Sequence, residues 1–174
     1  MEKPHAHSYT ALVNEPTCTE EGFTTYTCEC GNTYVADHTE PLGHDWQGTD
    51  CSRCDEKREN PFVDVPENAF YFESVLWAVE NDITTGADDI HFNPGGDLLR
   101  AQFVTFLWRA AGEPEPASSV SNGFTDVVPG MWYEAPINWA VENGVTNGMG
   151  DGTFGISNPC NRAHAVTFMY RALA

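Results

Sequence analysis

Between Asn60 and Ala174 the only basic side chains are four arginines, and all four fall in one repeated segment. "LLRAQFVTFLWRAA", Leu98 to Ala111, recurs in register as "CNRAHAVTFMYRAL", Cys160 to Leu173, which sets Arg100 and Arg109 against Arg162 and Arg171. A guanidinium is a planar fork suited to gripping a carboxylate or phosphate by two parallel hydrogen bonds. Arg100 and Arg109 are nine residues apart; at about 100° per residue they point to opposite sides of a helix and cannot share one task. Arg100 and Arg162 belong to a helix's first turn, where unpaired N–H groups and the positive end of the dipole favour an anion. Either an acidic ligand or a fixed acidic neighbour, such as the repeated Asp64 or Asp126, must accompany them. Arg109 and Arg171, near the helix C-terminus, suit the dipole and read as structural.

The cysteines offer a second chemistry. Cys18, Cys28, Cys30, Cys51 and Cys54 lie in the first third of the chain, and Cys160 stands alone. "CECG" is followed, after 19 intervening residues, by "CSRC". Thiolates two or three residues apart converge on one tetrahedral Zn²⁺ ion, so Cys28, Cys30, Cys51 and Cys54 are the candidate zinc ligands. The first knuckle is one residue short of C-x2-C, and Cys18 and His44 are available as substitutes. Disulfides are the competing chemistry, with one thiol of the five left over. "HSY" at His7 and "HDW" at His44 hint at a truncated repetition 37 residues apart. His5, His7 and His38 read as exposed polar residues. Cys160, aligned with Leu98, reads as a small buried hydrophobe. The glycine-rich "GMGDGTFG" around Asp151 lacks the Lys-Ser/Thr ending of a phosphate loop and the spaced acids of a calcium loop, so it reads as a turn. No nucleophile, base and orienting group form a local signature, and nothing positive indicates catalysis.

The elements that must position these groups follow from periodicity. A chain of 174 residues, 41% hydrophobic and 12% aromatic, can bury one or two small cores. Its net charge of −18 excludes nucleic acid as a broad-surface partner. No apolar run approaches the roughly 18 residues of a membrane span, so no membrane insertion is expected. "MEKPHAHSYT" has no signal-peptide core, which suggests a soluble chain and, if secreted, a mature part. Aligned on itself at an offset of 62, the sequence from Phe62 onward is identical at 20 of 51 positions without a gap. Each unit reads as a first helix ("FYFESVLWAVEN", "WYEAPINWAVEN"), a long loop, and a second helix starting near Asp97 or Asn158 with Pro159 in its first turn. Gly144 or Asp82 ends the first helix, and Phe92 or Phe154 plugs the loop into the core. Trp77, Trp139, Phe106 and Phe168 read as core. Tyr71, Tyr133, Phe70 and Trp132 are either core or rings on which a sugar stacks. "FTTYTCECGNTYVAD" reads as a short hairpin. The fold class is α+β multidomain: a small Cys-rich, zinc-ribbon-like β module over residues 1–58, then mainly α-helical repeats over 59–112 and 122–174. "EPEPASSVS" at 113–121 is the linker between the repeats.

The ordered set Phe62, Asp64, Trp77, Gly86, Phe92 and Arg100, with its counterparts Phe124, Asp126, Trp139, Gly148, Phe154 and Arg162, resembles the S-layer homology domain in two consecutive copies. That resemblance implies a non-catalytic, extracellular bacterial surface protein, attached to a cell-wall polysaccharide that is often pyruvylated. It further implies that Arg100 and Arg162, at the family's "TRAE" arginine, bind the polymer's carboxylate in a groove between repeats, with Tyr71, Tyr133 and Trp132 as neighbouring aromatic contacts. Here "TRAE" is altered to "LRAQ" and "NRAH". The family typically closes a bundle with three repeats, and this chain shows two. A homo-oligomer completes the bundle, the N-terminal module fills the gap, or polymer binding has been lost. The alternative function is therefore a protein-interaction or adhesin module that keeps the fold without polymer; an enzyme is a third class. "PTCTEEGFTTYTCECG…LGHDW" also resembles a short Cys-containing repeat of bacterial cell-surface proteins.

Overall fold

Thr, Tyr and Val alternate with small polar residues from Tyr9 to Thr39, and this β-branched and aromatic composition forms three antiparallel strands in the order β1 (Tyr9–Asn14), β2 (Gly22–Cys28), β3 (Thr33–Thr39). The hairpin expected from sequence is β2–β3; β1 is an additional strand, pairing Tyr9 with Cys28 through to Asn14 with Phe23. Tyr26 stands opposite Tyr34 with ring centroids 4.8 Å apart, and Tyr9 meets Tyr34 edge-on at 4.9 Å. Such cross-strand pairs stabilise a small sheet. A second, two-stranded piece follows, β4 (Trp46–Gln47) with β5 (Asp50–Cys51). The computed structural model describes residues 6–117 and 123–174, so His5 and residues 118–121 of the expected linker lie outside the described residues. These strands belong to one unit, Met1–Glu59, and four helices to another, Asn60–Ala174. No helix among the described residues is long and apolar enough to cross a membrane.

The helices are α1 (Phe72–Glu80) and α2 (Arg100–Ala110) in the first repeat, α3 (Glu134–Glu142) and α4 (Arg162–Leu173) in the second. Asp82 and Gly144, just past α1 and α3, both take left-handed backbone angles, φ +56° and +69°. Residues 97 and 158–159 are not helical. The second helices are capped at Leu99 and Asn161, two and three residues later than expected, because Leu98–Arg100 and Asn158–Cys160 pair with each other: Arg100 N–H donates to Asn158 O at 2.9 Å and Cys160 N–H to Leu98 O at 2.7 Å. Backbone groups engaged across the two repeats cannot join a helix, so Arg100 and Arg162 become the first helical residues.

The altered "TRAE" motifs now have a physical reading, since Thr-x-x-Glu is the pattern of a capping box, in which each side chain satisfies a backbone N–H of the other. The first copy keeps the far half: Gln102 Oε1 accepts from Leu99 N–H at 2.9 Å. The second copy keeps the near half: Asn161 Oδ1 accepts from His164 N–H at 2.9 Å. Each helix start retains one of the two bonds.

Two apolar clusters hold this unit. Phe62, Val65, Phe72, Val75 and Leu76 form the smaller one around α1, with Phe92 packed on it. The larger combines Ala101 and Val104 of α2 with Tyr133, Ile137, Trp139, Ala140, Val145, Phe154 and Phe168 of the second repeat. Helix α2 packs on α3 and α4, so the two repeats share one core. The consequence is asymmetric: Trp139 on α3 is 8% exposed beneath α2, whereas its counterpart Trp77 on α1 is 56% exposed, against expectation. Phe168 is buried as expected, while Phe106 is only half-buried.

Candidate functional site

The loop of each repeat is clasped by its aspartate. Asp64 accepts N–H bonds from Phe92 at 2.9 Å and Asn93 at 2.8 Å. Asp126 accepts them from Phe154 at 2.7 Å, Gly155 at 2.8 Å and Ile156 at 3.1 Å. The Phe92 N–H bond holds the Asp64 carboxyl below its usual range despite partial burial. Burial alone would raise Asp126, but its three backbone donors outweigh it and the group is also lowered. These aspartates serve the loops, so neither is the dedicated partner of an arginine.

The four arginines separate into three situations. Arg109 and Arg171 reach back to carbonyls at the ends of the first helices, donating to Ile83 O at 3.3 Å and Val145 O at 3.2 Å, a repeated staple between the first and second helix of each repeat. Arg100 is 2% exposed, its Nε donating to Phe154 O at 3.1 Å and its guanidinium 5.2 and 5.0 Å from the ring centres of Phe154 and Phe168. Burial lowers its pKa, offset in part by Cys160 and Asp126. The second repeat covers it, so the position that the resemblance assigns to a groove between repeats is occupied here by Phe154 and Phe168. Arg162, the same slot one repeat later, is exposed at the start of α4 and has no ion-pair partner among the described residues. Cys160 is half-buried, and burial raises its thiol.

The aromatic candidates also divide. Tyr133 is 7% exposed in the larger cluster, so its ring is not available to a sugar, and Tyr71 is half-buried against the smaller one. Trp132 is 57% exposed. It faces a groove of about 330 Å³ formed with Thr84, Gly86, Gln102, Phe106 and Arg109. A second depression of about 240 Å³ shares Thr84, Gly86, Gln102 and Phe106 and extends along Phe92 to Leu98. Sequence reasoning missed this groove because Thr84, Gln102 and Phe106 meet Trp132 only when α2 leaves its own repeat to pack on the next. The repeated glycine at its floor was legible: a Cβ on Gly86 would lie 2.5 Å from Phe62 Cε1, and one on Gly148 2.4 Å from Phe124 Cε1.

A family model described as the S-layer homology domain matches residues 61–104 and 123–166, just over half the chain. The chain belongs to the S-layer homology domain family. Residues matched include the clasping aspartates, the loop glycines and the Arg100/Arg162 slot. The chain is 34% identical over 116 residues to a "Cell surface protein" of Thermoanaerobacter kivui, covering 65% of this chain and 15% of that protein. It is 35% identical over 63 residues to "S-layer protein EA1" of Bacillus anthracis, covering 36% and 7%. To the "Middle cell wall protein" of Brevibacillus brevis it is 35% identical over 78 residues, covering 44% and 7%. It thus spans less than a fifth of the length of these relatives. Membership places the S-layer homology unit at the extracellular cell surface, in a family of domains that anchor proteins there.

In the N-terminal unit the four expected zinc ligands are not brought together. Cys28 closes β2 and Cys30 sits in the β2–β3 turn, where they meet His7 just before β1; Cys30 Sγ is 3.3 Å from His7 Nδ1. Cys51 and Cys54 instead meet Cys18 and His44, with Cys18 Sγ 3.9 Å from Cys51 Sγ and Cys54 Sγ 3.4 Å from His44 Nδ1. The 37-residue hint marks this doubling: His7 stacks on Tyr9 and His44 on Trp46, each beside its own cysteine pair. Backbone N–H of Cys30, then the His7 side chain, lower the Cys28 thiol to about 6. Burial pushes Cys51 up, but the Arg53 N–H and His44 overcome it and bring that thiol to about 6 as well. Cys18 is raised to about 11 by burial and the adjoining Cys54 and Cys51 thiols. All six cysteines are free.

Proposed function

We propose that the two S-layer homology domains attach this protein to an acidic, pyruvylated cell-wall polysaccharide without catalysis, with Arg162 binding a carboxylate and Trp132 stacking on a sugar in the groove beside Arg109. The observation that carries this reading is that Arg162 is exposed and alone among the four repeated arginines makes no side-chain hydrogen bond or ion pair among the described residues, whereas the likewise exposed Arg171 is engaged by the Val145 carbonyl. Its position at a helix N-terminus adds N–H donors and the positive dipole end to the guanidinium, a favourable setting for an anion. The test is co-sedimentation of the full chain with purified cell walls before and after extraction of their polysaccharide. A charge-assisted contact is worth about 1.5–3 kcal/mol, so Arg162→Ala should weaken wall binding by roughly 10- to 100-fold while the helical circular dichroism is preserved. Undiminished binding by Arg162→Ala, or equal binding to extracted walls, refutes the reading.

One observation favours an additional role in repeat-to-repeat association. On α4, Val166, Met169, Tyr170 and Leu173 are exposed. The equivalent Val104, Leu107 and Trp108 of α2 belong to the core shared with α3. The face left open on α4 therefore matches the first helix of another S-layer homology repeat, with exposed Trp77 of α1 as the complementary face on a second copy. Light scattering across a concentration series tests this, and a Leu173→Glu variant with the same oligomeric state as the parent excludes it.

A further inference from the structure

The N-terminal unit lacks the means by which the other unit is held together. Both apolar core clusters among the described residues lie beyond Asn60, and the buried apolar side chains of the N-terminal unit are Cys18, Cys28 and Cys51 themselves. A unit of about 60 residues without a hydrophobic core needs a cross-link or a metal. The two-residue strands β4 and β5 are likewise too short to persist as an isolated hairpin.

We infer that Cys18, His44, Cys51 and Cys54 form a structural, four-coordinate zinc site that holds the β4–β5 hairpin to the β1–β2 loop. Their ligand atoms all lie within 4.8 Å of one another. A tetrahedral zinc with Zn–S near 2.3 Å and Zn–N near 2.0 Å sets two sulfurs about 3.8 Å apart and a sulfur and nitrogen about 3.5 Å apart. Cys18 and Cys51 are 3.9 Å apart at sulfur, and Cys54 Sγ is 3.4 Å from His44 Nδ1, matching one edge of each kind in that tetrahedron. The surrounding chain is arranged to hold the ligands. Leu42 N–H and Gly43 N–H donate to Thr17 O and Cys18 O at 2.9 and 3.0 Å, carrying His44 to Cys18. Ser52 N–H donates to Asp45 O at 2.8 Å and Arg53 N–H to Cys51 Sγ at 3.4 Å, closing the knuckle. His44 is oriented by its stack on Trp46, whose ring also carries the Arg58 guanidinium at 5.1 Å. Such outer contacts fix a metal-binding imidazole. Among the described residues His7, Cys28 and Cys30 supply three donors, one fewer than a closed structural site requires.

The full chain, purified under reducing conditions, decides the matter by metal analysis and X-ray absorption. The expected result for a Cys28→Ser/Cys30→Ser variant is one equivalent of zinc with three sulfurs and one nitrogen around it. Cys18→Ser and His44→Ala should each lose that equivalent. To keep the test independent of whether these variants fold, the visible spectrum of the Co²⁺-substituted Cys28→Ser/Cys30→Ser chain gives the coordination without touching the ligands. Zinc bound by four sulfurs in the parent chain and lost with Cys28 and Cys30 restores the arrangement expected from sequence and overturns ours. A chain that, under these reducing conditions, holds no zinc and takes up none also overturns ours.

Discussion

Replacing Gly148 by alanine tests whether the loop glycine is required by its contact or only by its backbone angle. At φ +79° any side chain meets the left-handed penalty, about 1–2 kcal/mol. In addition the new methyl would lie 2.4 and 2.7 Å from Cε1 and Cζ of Phe124 and 2.7 Å from the Thr153 carbonyl oxygen. That oxygen already accepts the Met149 N–H at 2.8 Å, so it cannot retreat without breaking the turn, and the ring must move instead. Overpacking of this kind costs about 1–3 kcal/mol, giving roughly 2–5 kcal/mol in total. Gly144 is the control, because its φ is +69° and a Cβ there meets nothing within 4 Å, leaving only the conformational cost. For a unit of this size each kcal/mol lowers Tm by about 4 °C, so Gly148→Ala should melt about 8–20 °C below the parent and Gly144→Ala about 4–8 °C below. Thermal unfolding followed by far-ultraviolet circular dichroism separates the two. Equal shifts for both variants would show that the Phe124 contact imposes nothing and that the repeat keeps glycine for its backbone alone.

Acid should loosen the loops first. Asp64 and Asp126 have lowered folded pKa values, so their contribution to stability is complete above the unfolded value of about 4 and fades as pH falls through the folded values. Chemical denaturation from pH 6 down to about 2 should show this, with the loss reduced in Asp126→Asn, whose amide oxygen still accepts but does not titrate in this range; an unchanged acid dependence in that variant contradicts the clasp. The two repeated tryptophans should differ sharply: Trp139→Ala removes a buried ring and should cost about 3–5 kcal/mol, whereas Trp77→Ala should cost about 1 or less in monomeric protein. Equilibrium unfolding of the two variants checks this, and equal losses would contradict the asymmetric packing.

Local interactions made much of this molecule readable from its residues. Helical periodicity placed α1 and α3 to within two residues at each end, and the β2–β3 hairpin followed from β-branched and aromatic content. Repetition at 62 residues exposed the positions shared by both domains, including the aspartates and glycines whose roles the structure then supplies. The misplacement of the second helix starts has one cause. Asp97 and Asn158 have the side chains of capping residues, but pairing between Leu98–Arg100 and Asn158–Cys160 claims the backbone groups that a longer helix would need.

What sequence alone determined is the family pattern, the repeat, and the set of side chains able to do chemistry: four arginines in a strongly acidic chain and a cysteine-rich first third. Only the tertiary structure decided which of them can meet a ligand. Arg100 and Arg162 occupy equivalent positions in their repeats, and the differing neighbours of "LRAQ" and "NRAH" do not by themselves tell which one is buried. One is buried because the next repeat lays Phe154 and Phe168 over it, and the other is exposed because no described residue is laid over it in the same way. The cysteines follow the same rule. Spacing pairs Cys28 with Cys30 and Cys51 with Cys54, but which pairs share a site depends on where the β1–β2 loop brings Cys18 and where each histidine stacks, and these are long-range contacts that no local pattern encodes.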